Sequence, residues 1–313
     1  MVLDLNWMFL AIFAASCWGM VNVLDKAIIE NRIIKISTRQ FLDSGCGLLV
    51  AALLLFKIST PTFLLVALGT LGGALIFLFN YLYYNALKRA DVSAISVYLQ
   101  TIPVFCAIIG FMFFAERFHL NEYLGALLII LGAILVAIER TSRGFFTIFL
   151  GKNMEILLKY IIPASLVMSI NYGLIKVLLA QHSFWDLFFW GRIGFAITGL
   201  FVYLSQQRTR GIINTDINLM GVRTIYRVVF IEALNFLGIL LLTAAYAVGT
   251  ITLVSTVSAI QPLIVVAVLV LTAILSNREP LKDFSSSKRI LIVRIMAILL
   301  QIMGMFMLSR GIG

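Results

Sequence analysis

The chain has 313 residues, 62% of them hydrophobic and 12% charged, with a mean hydropathy of +1.06 and a formal net charge of +10. Soluble domains are roughly half apolar and about a quarter charged, so this composition excludes an ordinary globular protein and requires the bilayer as solvent. The positive charge does not point to a nucleic-acid partner, because nearly all Lys and Arg sit in short segments between apolar runs, where they anchor a membrane protein.

Ten apolar runs are predicted to cross the membrane as helices: 7–28, 38–56, 62–86, 92–114, 123–138, 157–179, 184–204, 228–248, 251–275 and 290–309. The first does not read as a cleaved leader, since only Asp4 precedes it and its basic flank follows it. Loops are short except 139–156 and 205–227. The segment 141–156 divides the chain into a repeat over 1–140 and another over 157–313. Five spans per half is an odd number, so the second half must enter the membrane from the opposite side. The expected fold is all-α and integral to the membrane: ten transmembrane helices as two inverted five-helix repeats whose interface lies at mid-membrane.

The halves also resemble each other in sequence. Pro103 and Pro262 are 159 positions apart, and the same offset pairs Ala86 with Ala245, Ala90 with Gly249, Val92 with Ile251, Ser93 with Thr252 and Ser96 with Ser255. At a nearby offset "SCWGMVNVLDK" (16–26) echoes "SINYGLIKVLL" (169–179), setting Trp18-Gly19 opposite Tyr172-Gly173. Loop charge orients the chain. One set of loops, holding Lys26, Arg32, Lys35, Arg39, Lys88, Arg89, Arg143 and others, carries most of the cations. The opposite set, with both termini, holds only Lys57, Arg117 and Arg310. The positive-inside rule puts the first set in the cytoplasm and the termini outside.

Polar residues inside apolar runs are costly and are the functional candidates. Trp18, Asn22 and Asp25 share a face of the first run by helical spacing, and Asp43 lies just inside the second. Gln100 and Gln261 sit beside Pro103 and Pro262, each of which frees a backbone carbonyl upstream and offers a hinge. Ser93, Ser96 and Gln100 share a helix face that serves either close packing or a solute path. Arg192 and Trp190 lie in the seventh run, Glu232 and Asn235 in the eighth; Arg192 calls for Glu232 or a solute anion as partner. Tyr81, Tyr84, Tyr98 and Tyr172 complete a possible aromatic wall for an apolar or cationic ligand, whereas Trp185 fits the interfacial belt. Asp25, Asp43 and Glu232 are the candidates for proton coupling. The three cysteines, Cys17, Cys46 and Cys106, lie within apolar runs as packing residues, and His119 and His182 are far apart, so no disulfide frame, metal site or cofactor is expected.

The "CWG" helix, a "Y-x-A-L…A…S…P" stretch from the third to the fourth run, the "F-x-E-R" turn (Phe114, Glu116, Arg117) and the following "LGALLIILG" (124–132) resemble the EamA-type transporters of the drug/metabolite transporter superfamily. Downstream "SNREPLKDF" carries Glu279 at a shifted offset. The resemblance implies alternating-access transport of a small metabolite through a central cavity between the repeats. The expected activity is secondary transport of an amino-acid, amine or drug-like solute, with a proton or other ion as coupling partner, in the inner (plasma) membrane. The alternative is a flippase or exporter of a lipid or lipid-linked precursor on the same scaffold. An enzyme would need a metal pattern or a nucleophile with its base, and the sequence offers neither.

Overall fold

The computed structural model describes residues 6–30, 33–90, 92–117, 119–138, 155–275, 296, 299–304 and 306–307. Among these, every regular element is helical. In chain order they are α1 (Asn6–Glu30), α2 (Ile36–Leu54), α3 (Phe63–Leu87), α4 (Val92–Tyr98), α5 (Thr101–Phe114), α6 (Leu120–Ile138), α7 (Ile162–Leu179, entered through a π turn at Leu157–Ile161), α8 (Phe184–Ser205), α9 (Gln207–Leu219), α10 (Val222–Val248), α11 (Ile251–Val257) and α12 (Gln261–Leu275). Among the described residues, seven helical stretches are long and apolar enough to span a bilayer, and the apolar helices Thr101–Phe114 and Leu120–Gly132 are shorter. The tenth predicted run, the 141–156 segment and Glu279 lie largely or wholly outside the described residues.

The helices form for local reasons that can be read at their ends. Thr62, Ser183 and Thr250 precede α3, α8 and α11, and each hydroxyl accepts a hydrogen bond from the backbone N–H three residues on, at 3.2, 3.2 and 3.3 Å. Such caps satisfy one of the orphan donors of a first turn. At α8 the cap is tied to the preceding loop, because Asp186 also accepts from the N–H and hydroxyl of Ser59, at 2.7 and 2.6 Å.

Two predicted spans are broken. The fourth run divides at Leu99–Gln100 into α4 and α5, and the ninth passes through a 3-10 turn at Ser258–Ile260 between α11 and α12. Pro103 and Pro262 follow the two breaks, as expected of residues that cannot donate to the carbonyl one turn upstream. The stretch 205–227, expected to be a loop, is instead mostly helix. In α9 Ile213 is buried, and Asp216 accepts from the Lys35 N–H at 3.0 Å and the Thr38 hydroxyl at 2.7 Å. Its polar composition hid it from a search for apolar runs. It is a short amphipathic helix held on the end of α2.

The exterior is apolar: Phe9, Phe13, Leu49, Leu53, Phe111, Phe113, Leu200 and Phe201 are all more than half exposed. A soluble monomer does not present such a surface, and a lipid-facing one must. Polar residues collect inside. α3 packs along α8 and α1 along α10.

The turn after α5 explains the Phe114–Arg117 motif. Ala115 takes a left-handed conformation (φ 51°) and ends the helix. That turn returns the buried Glu116 carboxylate to the start of α11, where it accepts from the N–H of Ile251 (2.8 Å), the N–H of Thr252 (3.3 Å) and the Thr252 hydroxyl (2.7 Å). An anion suits a helix N-terminus, where unpaired N–H groups concentrate positive potential. Glu116→Gln is expected to lower the stability of the purified protein by roughly 1.5–3 kcal/mol, the worth of hydrogen bonds to a charged group. Thermal unfolding in detergent reads the loss. Arg117→Ala, at an exposed neighbour, should leave the midpoint unchanged.

Candidate substrate cavity

α1 presents Trp18, Asn22 and Asp25 along one face, and α3 presents Asn80, Tyr83 and Tyr84 opposite. With Gln100 and Pro103 from the first break, Tyr172 from α7, Asn235 from α10, and Ser258 and Gln261 from the second break, they enclose a cavity of about 90 Å³. A water needs about 10–15 Å³, so the space fits several waters or a small organic group. Its polar walls are partly satisfied. The Tyr83 hydroxyl donates to Asn22 Oδ1 at 2.8 Å, and the Trp18 indole N–H donates to Asn235 Oδ1 at 3.2 Å. Asn22 Nδ2 is buried with no hydrogen-bond partner. A buried donor without an acceptor costs about 1–3 kcal/mol unless something else supplies one, so it marks where a ligand's acceptor belongs.

Beside this cavity lies a charge cluster. Arg39 is fully buried; its Nε and Nη2 donate to Asp25 Oδ1 at 3.1 and 3.0 Å, and Nη2 also donates to Glu232 Oε1 at 2.8 Å. Nη1 lies against Asp43, one turn along α2, whose other oxygen accepts from the Tyr84 hydroxyl at 2.9 Å. One guanidinium thus ties α1, α2 and α10 together through three carboxylates. Arg39 was counted among the loop cations, and that assignment is corrected: it is a core residue. The planar fork of arginine is what lets one side chain serve several carboxylates.

Of the residues expected to form the site, Trp18, Asn22, Asp25, Tyr84, Gln100, Pro103, Tyr172, Asn235 and Gln261 line the cavity. Glu232 and Asp43 stand behind it, bound to Arg39. Tyr98 is buried in an apolar cluster with Tyr83, Tyr84 and Leu99, and Trp190 packs beside Leu65, Leu178 and Leu187. Pro262 is buried next to Gln261 without lining the space. Tyr81 faces outward, 49% exposed, in a lateral groove. Its helix turns it 100° per residue away from Asn80, a rotation that spacing to Tyr84 alone did not register. Arg192 lies in a separate hollow and makes no ion pair within 4 Å among the described residues. Sequence reasoning missed Asn80, Tyr83 and Asn171. Each is a polar interruption of an apolar run, the signal that singled out Asn22 and Asn235.

Residues 5–138 match the EamA-like transporter family. With seven helical stretches among the described residues long and apolar enough to span a bilayer, the protein is a multi-pass integral membrane protein. EamA-like proteins are transporters, not enzymes. Twenty-eight solved chains are similar in structure. One, titled only "Crystal structure of protein", is 15% identical with a TM-score of 0.64, and the match covers 98% of each chain. At that identity the likeness speaks for the fold alone, over nearly the whole chain. No curated protein matches the sequence.

Proposed function

We propose that this EamA-like protein is a secondary transporter that moves a small organic solute by alternating access, through the cavity between two inverted five-helix repeats spanning 1–140 and 157–313. The observation that carries the reading is that residues related by the repeat offset line one cavity. Ile76 and Asn235, Asn80 and Ile239, Leu99 and Ser258, and Ile102 and Gln261 are each 159 positions apart, and all eight line it. A second correspondence supports the same symmetry. Lys26 Nζ donates to the carbonyls of Leu87 and Ala90, both at 3.0 Å, and Lys176 Nζ donates to those of Tyr246 and Gly249 at 2.8 and 2.7 Å. Those acceptors are again 159 apart, so each half fastens a helix C-terminus with a lysine, although the two lysines themselves are 150 apart.

Two broken helices beside prolines provide the moving parts, since each break leaves a joint in an otherwise continuous span. The Arg39 cluster supplies a coupling group. One guanidinium faces three carboxylates, and a bound proton would offset part of the surplus negative charge. Asp25 both contacts Arg39 and lines the cavity, so solute and proton would compete or cooperate at one side chain.

The test begins with purified protein screened by thermal shift against metabolite classes, because a ligand that binds only the folded state raises its stability. The hit is then followed into proteoliposomes, where saturable movement of solute is expected and movement of lipid alone would favour the flippase alternative. Trp18→Ala is expected to weaken binding of that solute at least about tenfold, which is about 1.4 kcal/mol, with folding intact. An unchanged affinity would remove Trp18 from the site.

A further inference from the structure

A second hollow of about 40 Å³ lies among α3, α7, α8 and α10. Its walls are mostly apolar, with Leu68, Leu174, Leu178 and Ile239 among them. Three buried polar side chains line it, those of Thr243, Arg192 and Asn171. Arg192 is 3% exposed and makes no ion pair within 4 Å among the described residues. Its guanidinium carbon sits 4.8 Å from the Phe236 ring centre, 5.2 Å from Phe188 and 5.9 Å from Phe195. Ring faces attract a cation but do not neutralise it. Glu232, the acid expected to pair with it, is instead bound to Arg39 at 2.8 Å. On the wall formed by α7, Asn171 is 2% exposed and its Nδ2 has no hydrogen-bond partner. A buried guanidinium without a close counter-ion and a buried amide donor without an acceptor therefore face one small space. Ile76 and Ile239 line this hollow and the larger cavity alike, so the two spaces adjoin.

We propose that the second hollow is an anion subsite that receives the carboxylate of a solute whose remaining part occupies the larger cavity. This rests on the transporter reading. Charge selects the ligand class, because the cation without an ion pair and the amide without an acceptor are both donors, and a carboxylate is an acceptor at both oxygens. Volume selects its size. At about 40 Å³ the hollow has room for a group the size of a few waters, which suits a carboxylate better than a bulkier phosphate. The apolar walls increase the discrimination, since a neutral amide in the same place would leave Arg192 without its charge partner.

The probes are butyrate, butyramide, butylammonium and inorganic phosphate, added to the purified full-length protein in detergent. Butyrate is expected to raise the melting temperature by a few degrees in excess over its Kd, and the other three to leave it unchanged. Arg192→Gln should abolish the butyrate shift, and Asn171→Leu should diminish it. Equal shifts by butyrate and butyramide, a shift by phosphate without one by butyrate, or an undiminished butyrate shift in Arg192→Gln would each overturn the assignment. Should Arg192→Gln fail to fold, Asn171→Leu decides, because it alters the opposite wall without touching a charge; an undiminished butyrate shift there also overturns it. Proteoliposomes separate this inference from the one beneath it. Butyrate binding that needs Arg192, in a protein that moves no solute, keeps the subsite and sinks the transporter. Uptake of carboxylates that is as fast in Arg192→Gln as in the unsubstituted protein keeps the transporter and sinks the subsite.

Discussion

Arg39→Met should prevent the protein from accumulating as a folded, monodisperse species in detergent. Three carboxylates, from Asp25, Asp43 and Glu232, converge on this side chain, and it is fully buried. Removing one partner of a buried ion pair leaves an uncompensated charge and costs about 3–5 kcal/mol. Here a single substitution strands three, which is a large part of the roughly 5–15 kcal/mol by which folded proteins are stable. Methionine fills much of the volume, so the loss measures charge more than packing. Arg39→Lys keeps the charge but not the planar fork, and one ammonium cannot reproduce contacts to α1, α2 and α10 together; an intermediate melting temperature is expected. The decisive comparison is Arg39→Met combined with Asp43→Asn and Glu232→Gln. If stranded charge is the cause, the triple variant melts higher than Arg39→Met alone. If it melts lower still, the arginine acts through packing and the electrostatic account is wrong.

The legibility of this site differs from one residue to the next, for physical reasons. Trp18, Asn22 and Asp25 were readable because helical spacing and the rarity of polar groups in apolar runs are both local properties of the sequence. The prolines were readable for the same reason, and the breaks in the fourth and ninth spans lie just before them. Arg39 was not, because a cation near the end of a run looks the same whether it snorkels to the interface or turns inward. What decides is the presence of Glu232, 193 positions away, on a helix that packs against α1. The α9 helix was missed because its polar residues show no apolar run, and its one deeply buried residue, Ile213, makes sense only once α2 is beside it. Tyr81 shows the converse. Its residue type suited a cavity wall, but its angular position on α3 faces outward. Composition gave the solvent, periodicity gave the elements, and pairing across the fold required the fold.

Gly73→Val is the other substitution expected to act on the whole molecule. α3 and α8 meet with backbone on backbone. A side-chain carbon on Gly73 would overlap the Gly191 carbonyl oxygen and the Phe195 nitrogen, and would lie 2.9 Å from the Gly194 carbonyl carbon. From the other side, one on Gly194 would run into Thr70. Small residues at such crossings let two helices in a bilayer approach closely, where no hydrophobic drive holds them together. Overpacking a core costs about 1–3 kcal/mol when side chains can yield. Main-chain atoms of a helix cannot shift without moving the whole helix, so Gly73→Val is expected at or beyond the top of that range. Gly73→Ala should already lower the melting temperature, since its Cβ is the atom that collides. Gly45→Ala on α2 is the control: nothing lies within 4 Å of its Cβ, and alanine is the better helix former by about 1 kcal/mol, so its melting temperature should hold or rise. The seam also positions the walls of both hollows. α3 carries Asn80, Tyr83 and Tyr84 into the larger cavity, and α8 carries Arg192 into the smaller one. Forcing the two helices apart therefore separates the hollows, and a solute that must span both should lose affinity in Gly73→Ala even at temperatures where the protein remains folded. An unchanged affinity in a destabilised but folded Gly73→Ala would show that the α3–α8 crossing serves stability alone.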